Sequence, residues 1–321
     1  MTAGEGEVAA TANDIIVEPL RAAPSRTRRL FGTLTEDKVA LASMGFLSLV
    51  IIGAVFAPIL APASPSAIDL SARLAPPVWL PSGTWEHPLG GDALGRDVLS
   101  RIIYGARVSL TIGLTVVLAA GIVGSSLGMI AGYLGGKWDT IIMRLADAQL
   151  AFPGLLLMII VIGVLGPSIP VVIAVIALYG WMVFARVIRS NVLTLKETLY
   201  VRAAELSGVS SRRIIFKHIG PGLVSPLLTQ GTLEFARVIL AEAALSYLGL
   251  GIQPPDASWG LMVAENQPYM VSGWWTVFFP GVVVALTVLA LNLVANWGRL
   301  RSDPRQRLLL TARKTRFGAT T

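Results

Sequence analysis

Six apolar segments, each about as long as a membrane is thick, constrain this chain more than any other feature. They cover residues 39–60, 108–133, 142–165, 169–188, 223–247 and 276–297. A helix needs about 20 apolar residues to cross the roughly 30 Å hydrocarbon core of a bilayer. Hydrophobic residues make up 54% of the chain and charged residues 14%, whereas soluble domains are about one quarter charged. The sequence therefore predicts an all-α polytopic membrane protein with six transmembrane helices.

The distribution of Lys and Arg predicts the orientation of these spans. With six spans, both termini lie on one side together with the second and fourth loops, and most basic residues fall there. Basic residues collect on the cytoplasmic side of membrane proteins, so residues 1–38 are expected to form a disordered basic cytoplasmic tail and 298–321 a basic cytoplasmic C-terminal tail. The net charge of +7 then reflects topology and contact with lipid headgroups, with no nucleic acid involved. We expect a multi-pass protein of the cell (inner) membrane.

A basic connector, residues 189–222, joins the fourth and fifth apolar segments. Its sequence over 200–221 is YVRAAELSGVSSRRIIFKHIGP. The apolar residues up to Leu206 have helical spacing, and Gly208 permits a tight turn. Ser210 precedes a second, basic helical run that we expect to break at Gly220-Pro221. Two short helices held between neighbouring spans predict a docking handle on the cytoplasmic face.

This connector resembles the EAA loop of ABC importer permeases, in which Glu-Ala-Ala is followed after three residues by Gly. Ala203, Ala204 and Gly208 match, Arg202 stands where the family has Glu, and Pro221 closes the loop. The resemblance implies that the loop docks on separate ATPase subunits and couples ATP hydrolysis to alternating access. The residues expected to couple are Leu199, Tyr200, Arg202, Ala203, Ala204, Glu205, Gly208, Arg212 and Pro221.

Two further stretches narrow the resemblance to the dipeptide/oligopeptide/nickel group, and to its subunit with the longer N-terminal tail. They are HPLGGDALGRDVLSRIIYGARVSL (87–110) and AEAALSYLGLGIQPPDASWGLM (241–262). Membership would imply a type I ABC importer permease fold, a second homologous permease, one or two ATPase subunits carrying ATP and Mg, and an extracytoplasmic substrate-binding protein. Short peptides are the expected substrate, with nickel or another small solute as the alternative. An ion-coupled secondary transporter is the alternative from a different class.

The predicted outer loop, residues 61–107, ends in an amphipathic stretch that leads into the second span. One interpretation makes this loop a contact for the binding protein or a cap over the translocation path. The other makes it a structural re-entry that positions the second span. The candidate contact residues are Asp92, Arg96, Asp97 and Trp259, although interfacial anchoring alone would explain a tryptophan.

Ionisable residues inside apolar spans are costly and usually face a partner or a water-filled path. Glu234 and Arg237 stand three residues apart and can pair, whereas Glu242 has no obvious partner in the sequence. These three residues are the candidates for the translocation path or an interface with another subunit. Gly124, Gly128 and Gly132 are spaced by four residues, which favours close helix packing within the bundle.

The sequence predicts no catalytic site, cofactor or metal in this chain. The nearest resemblance to a phosphate-binding loop, Gly135-Gly136-Lys137, is followed by Trp138 where Ser or Thr is required. The chain has no cysteine and two histidines, and the predicted topology puts His87 and His218 on opposite sides of the membrane. ATP hydrolysis is therefore expected on separate subunits.

Overall fold

The computed structural model describes residues 37–302, and the predicted basic tails lie almost entirely outside that range. Its helices follow one another along the chain, and the longest connections between α-helices are residues 61–97 and 248–258. They are α1 (Lys38–Val55), α2 (Ala57–Leu60), α3 (Val98–Leu134), α4 (Gly136–Leu150), α5 (Gly154–Leu165), α6 (Ile169–Lys196), α7 (Leu199–Leu206), α8 (Ser211–Arg213), a π-helix (Ile214–Ile219), α9 (Gly220–Tyr247), α10 (Trp259–Asn266) and α11 (Trp275–Ser302).

Four helices of the described chain, α1, α3, α6 and α11, are long and apolar enough to cross a membrane individually. The bent pair of α4 and α5 supplies a fifth crossing if it is counted as one span. Helix α9, at 28 residues, is also long enough to cross a membrane. Its sequence is less apolar, because it contains polar and charged side chains such as Glu234 and Arg237. A polytopic helical membrane protein is therefore confirmed, while the count of six spans stays a prediction.

The third predicted span is not one continuous helix. Helices α4 and α5 meet at an angle of 85° around Phe152 and Pro153. A residue that precedes proline disfavours the helical conformation, and proline has no N–H to donate within a helix. The length and largely apolar composition of 142–165 predicted one span and did not indicate this break.

The second predicted span begins ten residues earlier than expected. Helix α3 starts at Val98, where the Asp97 side chain accepts a hydrogen bond from the Ser100 N–H, and runs for 37 residues. At 1.5 Å per residue it is about 55 Å long, longer than a bilayer core is thick. The last part of the predicted outer loop 61–107 is therefore the outer end of this helix.

Helices α3 and α6 pack most extensively, and glycines let their backbones approach. A Cβ atom on Gly124 would lie 2.2 Å from the Trp181 carbonyl oxygen, and one on Gly128 would lie 2.5 Å from the Ala185 carbonyl oxygen. These contacts confirm the prediction that the glycine series serves packing within the bundle. The two helices form a rigid scaffold on which the handle and the outer loop are built.

Candidate functional site

The predicted docking handle, residues 199–219, begins with α7, which is apolar on two opposite faces. On the inner face, Val201 is fully buried and Ala204 nearly so, and both belong to a core cluster that includes Ile188. On the outer face, Leu199 is 87% exposed and Leu206 is 90% exposed. Because two large apolar side chains face away from the core, this face is suited to contact another protein.

The predicted coupling residues of α7 divide between these two faces. Ala203 is exposed and Ala204 is buried, so only one alanine of the predicted pair allows a partner to approach closely. Arg202, which stands in place of the family's Glu, forms an ion pair with Glu197, and both side chains are more than half exposed. The remaining predicted residues, Tyr200, Glu205, Gly208, Arg212 and Pro221, are also exposed.

The turn that follows α7 depends on Gly208, whose φ of +72° lies in the left-handed region that favours glycine. The chain then enters α8 and the π-helix, and the Tyr200 hydroxyl donates a 3.4 Å hydrogen bond to the His218 carbonyl. This bond ties the two arms of the handle together.

The break predicted at Gly220-Pro221 does not occur, and the prediction is wrong. The π-helix runs directly into α9, and Pro221 is the second residue of α9. Therefore no non-helical residue separates the π-helix of the handle from α9.

Two of the intramembrane candidates are brought together as an ion pair. Arg237 Nη1 lies 2.8 Å from Glu234 Oε1, and the Gln230 amide donates to the same oxygen at 3.1 Å. Glu234 is buried, whereas the Arg237 side chain is 66% exposed. The exposed arginine is the member of the pair that can face a path or another subunit.

Glu242 lies inside the subunit and has partners that the sequence does not reveal. It is 1% exposed. Its carboxylate accepts hydrogen bonds from the Ser246 hydroxyl at 2.7 Å and the Ser109 hydroxyl at 3.5 Å. The Ser246 hydroxyl also accepts from the Ile252 N–H at 3.2 Å. This arrangement links α3, α9 and the chain that follows α9, and it turns the carboxylate away from any exposed face.

Four charged residues form a network that we call the outer clamp: Asp92, Arg96 and Arg101, which are buried, and Glu265, which is partly exposed. Asp92 Oδ2 accepts from Arg96 Nε at 2.7 Å and from Arg101 Nη1 at 2.6 Å. Glu265 Oε2 accepts from the same two guanidinium groups at 2.8 and 2.9 Å. Burial raises the pKa of Asp92, but the guanidinium groups of Arg96 and Arg101, together with hydrogen bonds from the Arg96 and Leu94 N–H groups, outweigh it and hold that pKa below its ordinary value of 3.8.

The outer clamp overturns the prediction of a binding-protein contact at Asp92, Arg96, Asp97 and Trp259. Trp259 is fully buried and donates its indole N–H to the Ile102 carbonyl at 3.0 Å. The three charged residues are at most 8% exposed. The structural interpretation of this loop is therefore the correct one for these side chains, because they hold the loop against α3 and α10.

Opposite charges on α4 and α6 form two further ion pairs that sequence reasoning missed. Arg189 Nη2 donates to Asp139 Oδ2 at 2.6 Å, and Arg186 pairs with Asp147. Asp147 and Arg186 lie in consecutive predicted spans, whereas Asp139 and Arg189 lie just outside them.

The described residues contain no group of three or more His, Cys, Asp or Glu side chains that could hold a metal ion. The functional features of this part of the chain are thus the handle, the intramembrane ion pairs and the outer clamp. These features are suited to docking and to movement of spans.

Comparisons with known proteins agree with this assignment. Residues 124–308 match the family described as binding-protein-dependent transport system inner membrane component. Residues 25–77 match the N-terminal TM domain of oligopeptide transport permease C.

Named bacterial relatives are similar to this chain over most of its length. The chain is 39% identical over 288 residues to the di/tripeptide transport system permease protein DppC of Pseudomonas aeruginosa, covering 90% of this chain and 95% of that protein. It is 36% identical to the dipeptide permease DppC of Bacillus subtilis, covering 88% and 87%. It is also 36% identical to a probable D,D-dipeptide permease, DdpC, of Escherichia coli, covering 90% and 95%. The chain therefore belongs to the family of binding-protein-dependent transport system inner membrane components, and it is a multi-pass permease subunit.

Proposed function

We propose that this permease forms one half of the translocation path of an ATP-driven dipeptide importer. Three relatives that match almost the full chain are named as permeases for di/tripeptides, dipeptides or D,D-dipeptides. These names support a dipeptide over nickel as the substrate. His87 and His218 also lie far apart along the fold, one in the outer loop and one in the π-helix. A second permease of the same family completes the path.

The observation that carries the proposal is the outer face of α7. Leu199 and Leu206 are almost fully exposed while Val201, between them, is fully buried. A short helix that is anchored on one side and apolar on the other fits a groove on a separate ATPase subunit. ATP and Mg belong to that subunit, and this chain performs no hydrolysis.

In this mechanism, the handle carries movement from the ATPase to the spans. Because the π-helix passes into α9 without interruption, a push on α7 moves α9 and its Glu234–Arg237 pair. Rigid-body movement of packed helices then alternates access between the two sides of the membrane. The outer clamp keeps the extracytoplasmic loop in a fixed shape for a binding protein that delivers the peptide.

The proposed membrane topology of the chain follows from the order of the handle, α9 and α10. Helix α9 crosses the membrane as the fifth of six spans, since its first turn continues from the cytoplasmic handle and its end leads to the outer clamp through α10. Both termini then lie in the cytoplasm, in agreement with the distribution of Lys and Arg along the chain.

The test uses the complete transporter, expressed with its ATPases, second permease and binding protein. Leu199→Ser combined with Leu206→Ser is expected to reduce dipeptide uptake by roughly tenfold or more, as loss of two central apolar contacts does at interfaces. The ATPase subunits should no longer copurify with the membrane subunits. Ile59→Ser, at a residue 80% exposed in α2, is the matched control and should leave both unchanged.

Retention of the ATPase subunits by the double variant would contradict the assignment of the handle. A wild-type transporter that accumulates nickel and leaves dipeptides outside would contradict the substrate.

A further inference from the structure

Helices α1 and α11 pack against each other and leave an apolar groove between them, which we call the α1–α11 groove. Its volume is about 360 Å³, within the range of about 300–1,000 Å³ that is usual for ligand pockets. Ser43 and Ala290 are buried and form its floor, whereas Val39, Leu286 and Leu289 are about half exposed and form its walls. Both helices are long and apolar enough to cross a membrane, so the groove faces lipid or another subunit.

One end of the groove carries a cation without an internal partner. Lys38 lines the groove and is the first residue of the apolar span in α1. It is exposed and forms no ion pair within the described range 37–302. The neighbouring Asp37 carboxylate accepts from the Ala40 N–H at 3.1 Å and caps α1. Because long basic side chains at the end of a span reach the lipid headgroups, Lys38 places a positive charge where the groove meets the membrane surface.

The packing of α1 and α11 brings a second cation to the same end of the groove. Towards the end of α1, Val50 belongs to a core cluster that packs against Val283, near the start of α11. At the start of α1, residues 38–46 line the groove together with residues 286–293, further along α11. The two helices are therefore antiparallel, and the end of α11 lies beside the start of α1. Arg299, the last residue of the apolar span in α11, is exposed at this end.

The shape of the groove fits a thin, flexible chain better than another helix. Transmembrane helices approach each other closely where small residues lie on the contact surface. Here the small residues are at the floor, and the large walls of Val39, Leu286 and Leu289 would hold a helix away from it. Residues 38–46 extend over about 12 Å of α1, slightly less than the roughly 15 Å of hydrocarbon in one leaflet. An acyl chain of a phospholipid satisfies both limits.

We propose that the α1–α11 groove binds an acyl chain of an anionic phospholipid of the cytoplasmic leaflet, with the phosphate of the headgroup at the end that carries Lys38 and Arg299. Basic pockets between transmembrane helices on the cytoplasmic side bind anionic headgroups in this way. The proposal goes beyond peptide import and takes from the proposed function only the cytoplasmic position of both termini. The bound lipid covers the seam between α1 and α11 and so holds the first span against the bundle.

The preference for an anionic lipid is tested with the complete transporter reconstituted in vesicles. The chain has no cysteine, so a bimane label is placed on Ala42→Cys, at an exposed residue that lines the groove. Leu41→Cys, at the preceding residue, is exposed outside the groove and is the matched control. Quenching is compared between phosphatidylglycerol and phosphatidylcholine with brominated acyl chains, at equal mole fractions. Transporter without an introduced cysteine gives the background from the other subunits.

We expect brominated phosphatidylglycerol to bind roughly tenfold better than brominated phosphatidylcholine at Ala42→Cys, because basic residues near a membrane surface attract anionic lipids. At Leu41→Cys the two lipids should quench equally. Lys38→Gln, introduced with Ala42→Cys, should lower the preference roughly fivefold, whereas Lys38→Arg should keep it. Equal quenching by the two lipids at Ala42→Cys, or the same preference at both positions, would overturn the proposal. Loss of quenching by both lipids at Ala42→Cys alone would show that another subunit covers the groove, and would overturn it as well.

Occupation of the groove is tested separately from charge. Ala42→Phe adds a ring inside the groove and leaves Lys38 in place, whereas Leu41→Phe adds the same ring outside it. Native mass spectrometry of the delipidated transporter counts the phosphatidylglycerol molecules that rebind. Ala42→Phe should hold one fewer than wild type, and Leu41→Phe should match wild type. An unchanged count in Ala42→Phe would contradict the site. Neither measurement uses a peptide, so a transporter that fails to import dipeptides rejects the proposed function and leaves this result separate.

Discussion

The outer clamp and the docking handle use the same residue types for opposite purposes. In the clamp, Arg101 is 1% exposed and bonds to two carboxylates. In the handle, Arg202 pairs with one carboxylate, and both partners are more than half exposed. Burial makes the clamp dependent on every partner, whereas water can replace either partner of the handle pair. The comparison shows that burial, and not the presence of an ion pair, separates a structural site from a surface that is free to dock.

Of the substitutions that test this comparison, removal of Arg101 should lower the free energy of unfolding the most. Arg101→Ala leaves Asp92 and Glu265 with one fewer cation in a buried site, which costs about 3–5 kcal/mol of unfolding free energy. Arg202→Ala should cost about 0–1 kcal/mol. Thermal unfolding of the detergent-purified protein, followed by tryptophan fluorescence, measures both. Equal loss of stability in the two variants would break the comparison.

The two faces of α7 provide the next largest contrast. Val201→Ala removes fully buried methyl groups and should lower the free energy of unfolding by about 1–2 kcal/mol. Leu206→Ala, at a residue 90% exposed, should change it by less than about 0.5 kcal/mol. The same unfolding measurement checks both. If Leu206→Ala were the more destabilising variant, the outer face of α7 would be part of the core of this subunit.

A smaller loss of stability is expected when a neutral side chain that supports the outer clamp is removed. Asn266 is buried, accepts from the Ala93 N–H at 3.3 Å and donates to the Met262 carbonyl at 2.8 Å. Asn266→Ala leaves both backbone groups without this partner, at a cost of about 1–2 kcal/mol. Asn292→Ala removes an amide that is exposed on α11 and bonds the Val288 carbonyl, and its unfolding temperature should match the wild type.

The pH dependence of the clamp should be the smallest effect under physiological conditions. The folded pKa of Asp92 lies below 3.8, so its stabilising contribution is fully present above that pH and is lost as pH falls through the folded pKa. Between about pH 8 and pH 5 the clamp should contribute constant stability. Unfolding temperatures recorded across pH 8 to 3 check this, and Arg101→Gln should reduce the acid-induced decrease assigned to Asp92, since Arg96 still pairs with that carboxylate. A decrease centred near neutral pH in wild type that persists in Arg101→Gln would assign the titration to another group.

The fold was predictable wherever a local pattern was sufficient. The apolar segments located α1, α3, α6 and α11, because a membrane requires long apolar helices. The glycine series on α3 predicted its close packing, since only small side chains permit such contact. The break at Phe152-Pro153 was missed because apolar composition alone does not report a change of direction.

The candidate site was predictable only in part. The handle was found from Gly208 and the helical spacing before it. The outer clamp was misassigned because Glu265 lies more than 160 residues away from Arg101 in the chain, and nothing local pairs them. Likewise, Asp147 and Arg186 occur in separate predicted spans, so the sequence did not reveal that they meet.

By itself, the sequence determined that this chain must be helical, must lie in a membrane and must carry a short helical handle between two spans. Composition, glycine placement and spacing are local properties, and backbone hydrogen bonding in lipid leaves few alternatives. Tertiary structure alone decided which charges are buried in the outer clamp, which are exposed on α4, and which face of α7 remains free. Burial depends on residues distant in the chain, and the cost of placing a charge depends on what surrounds it.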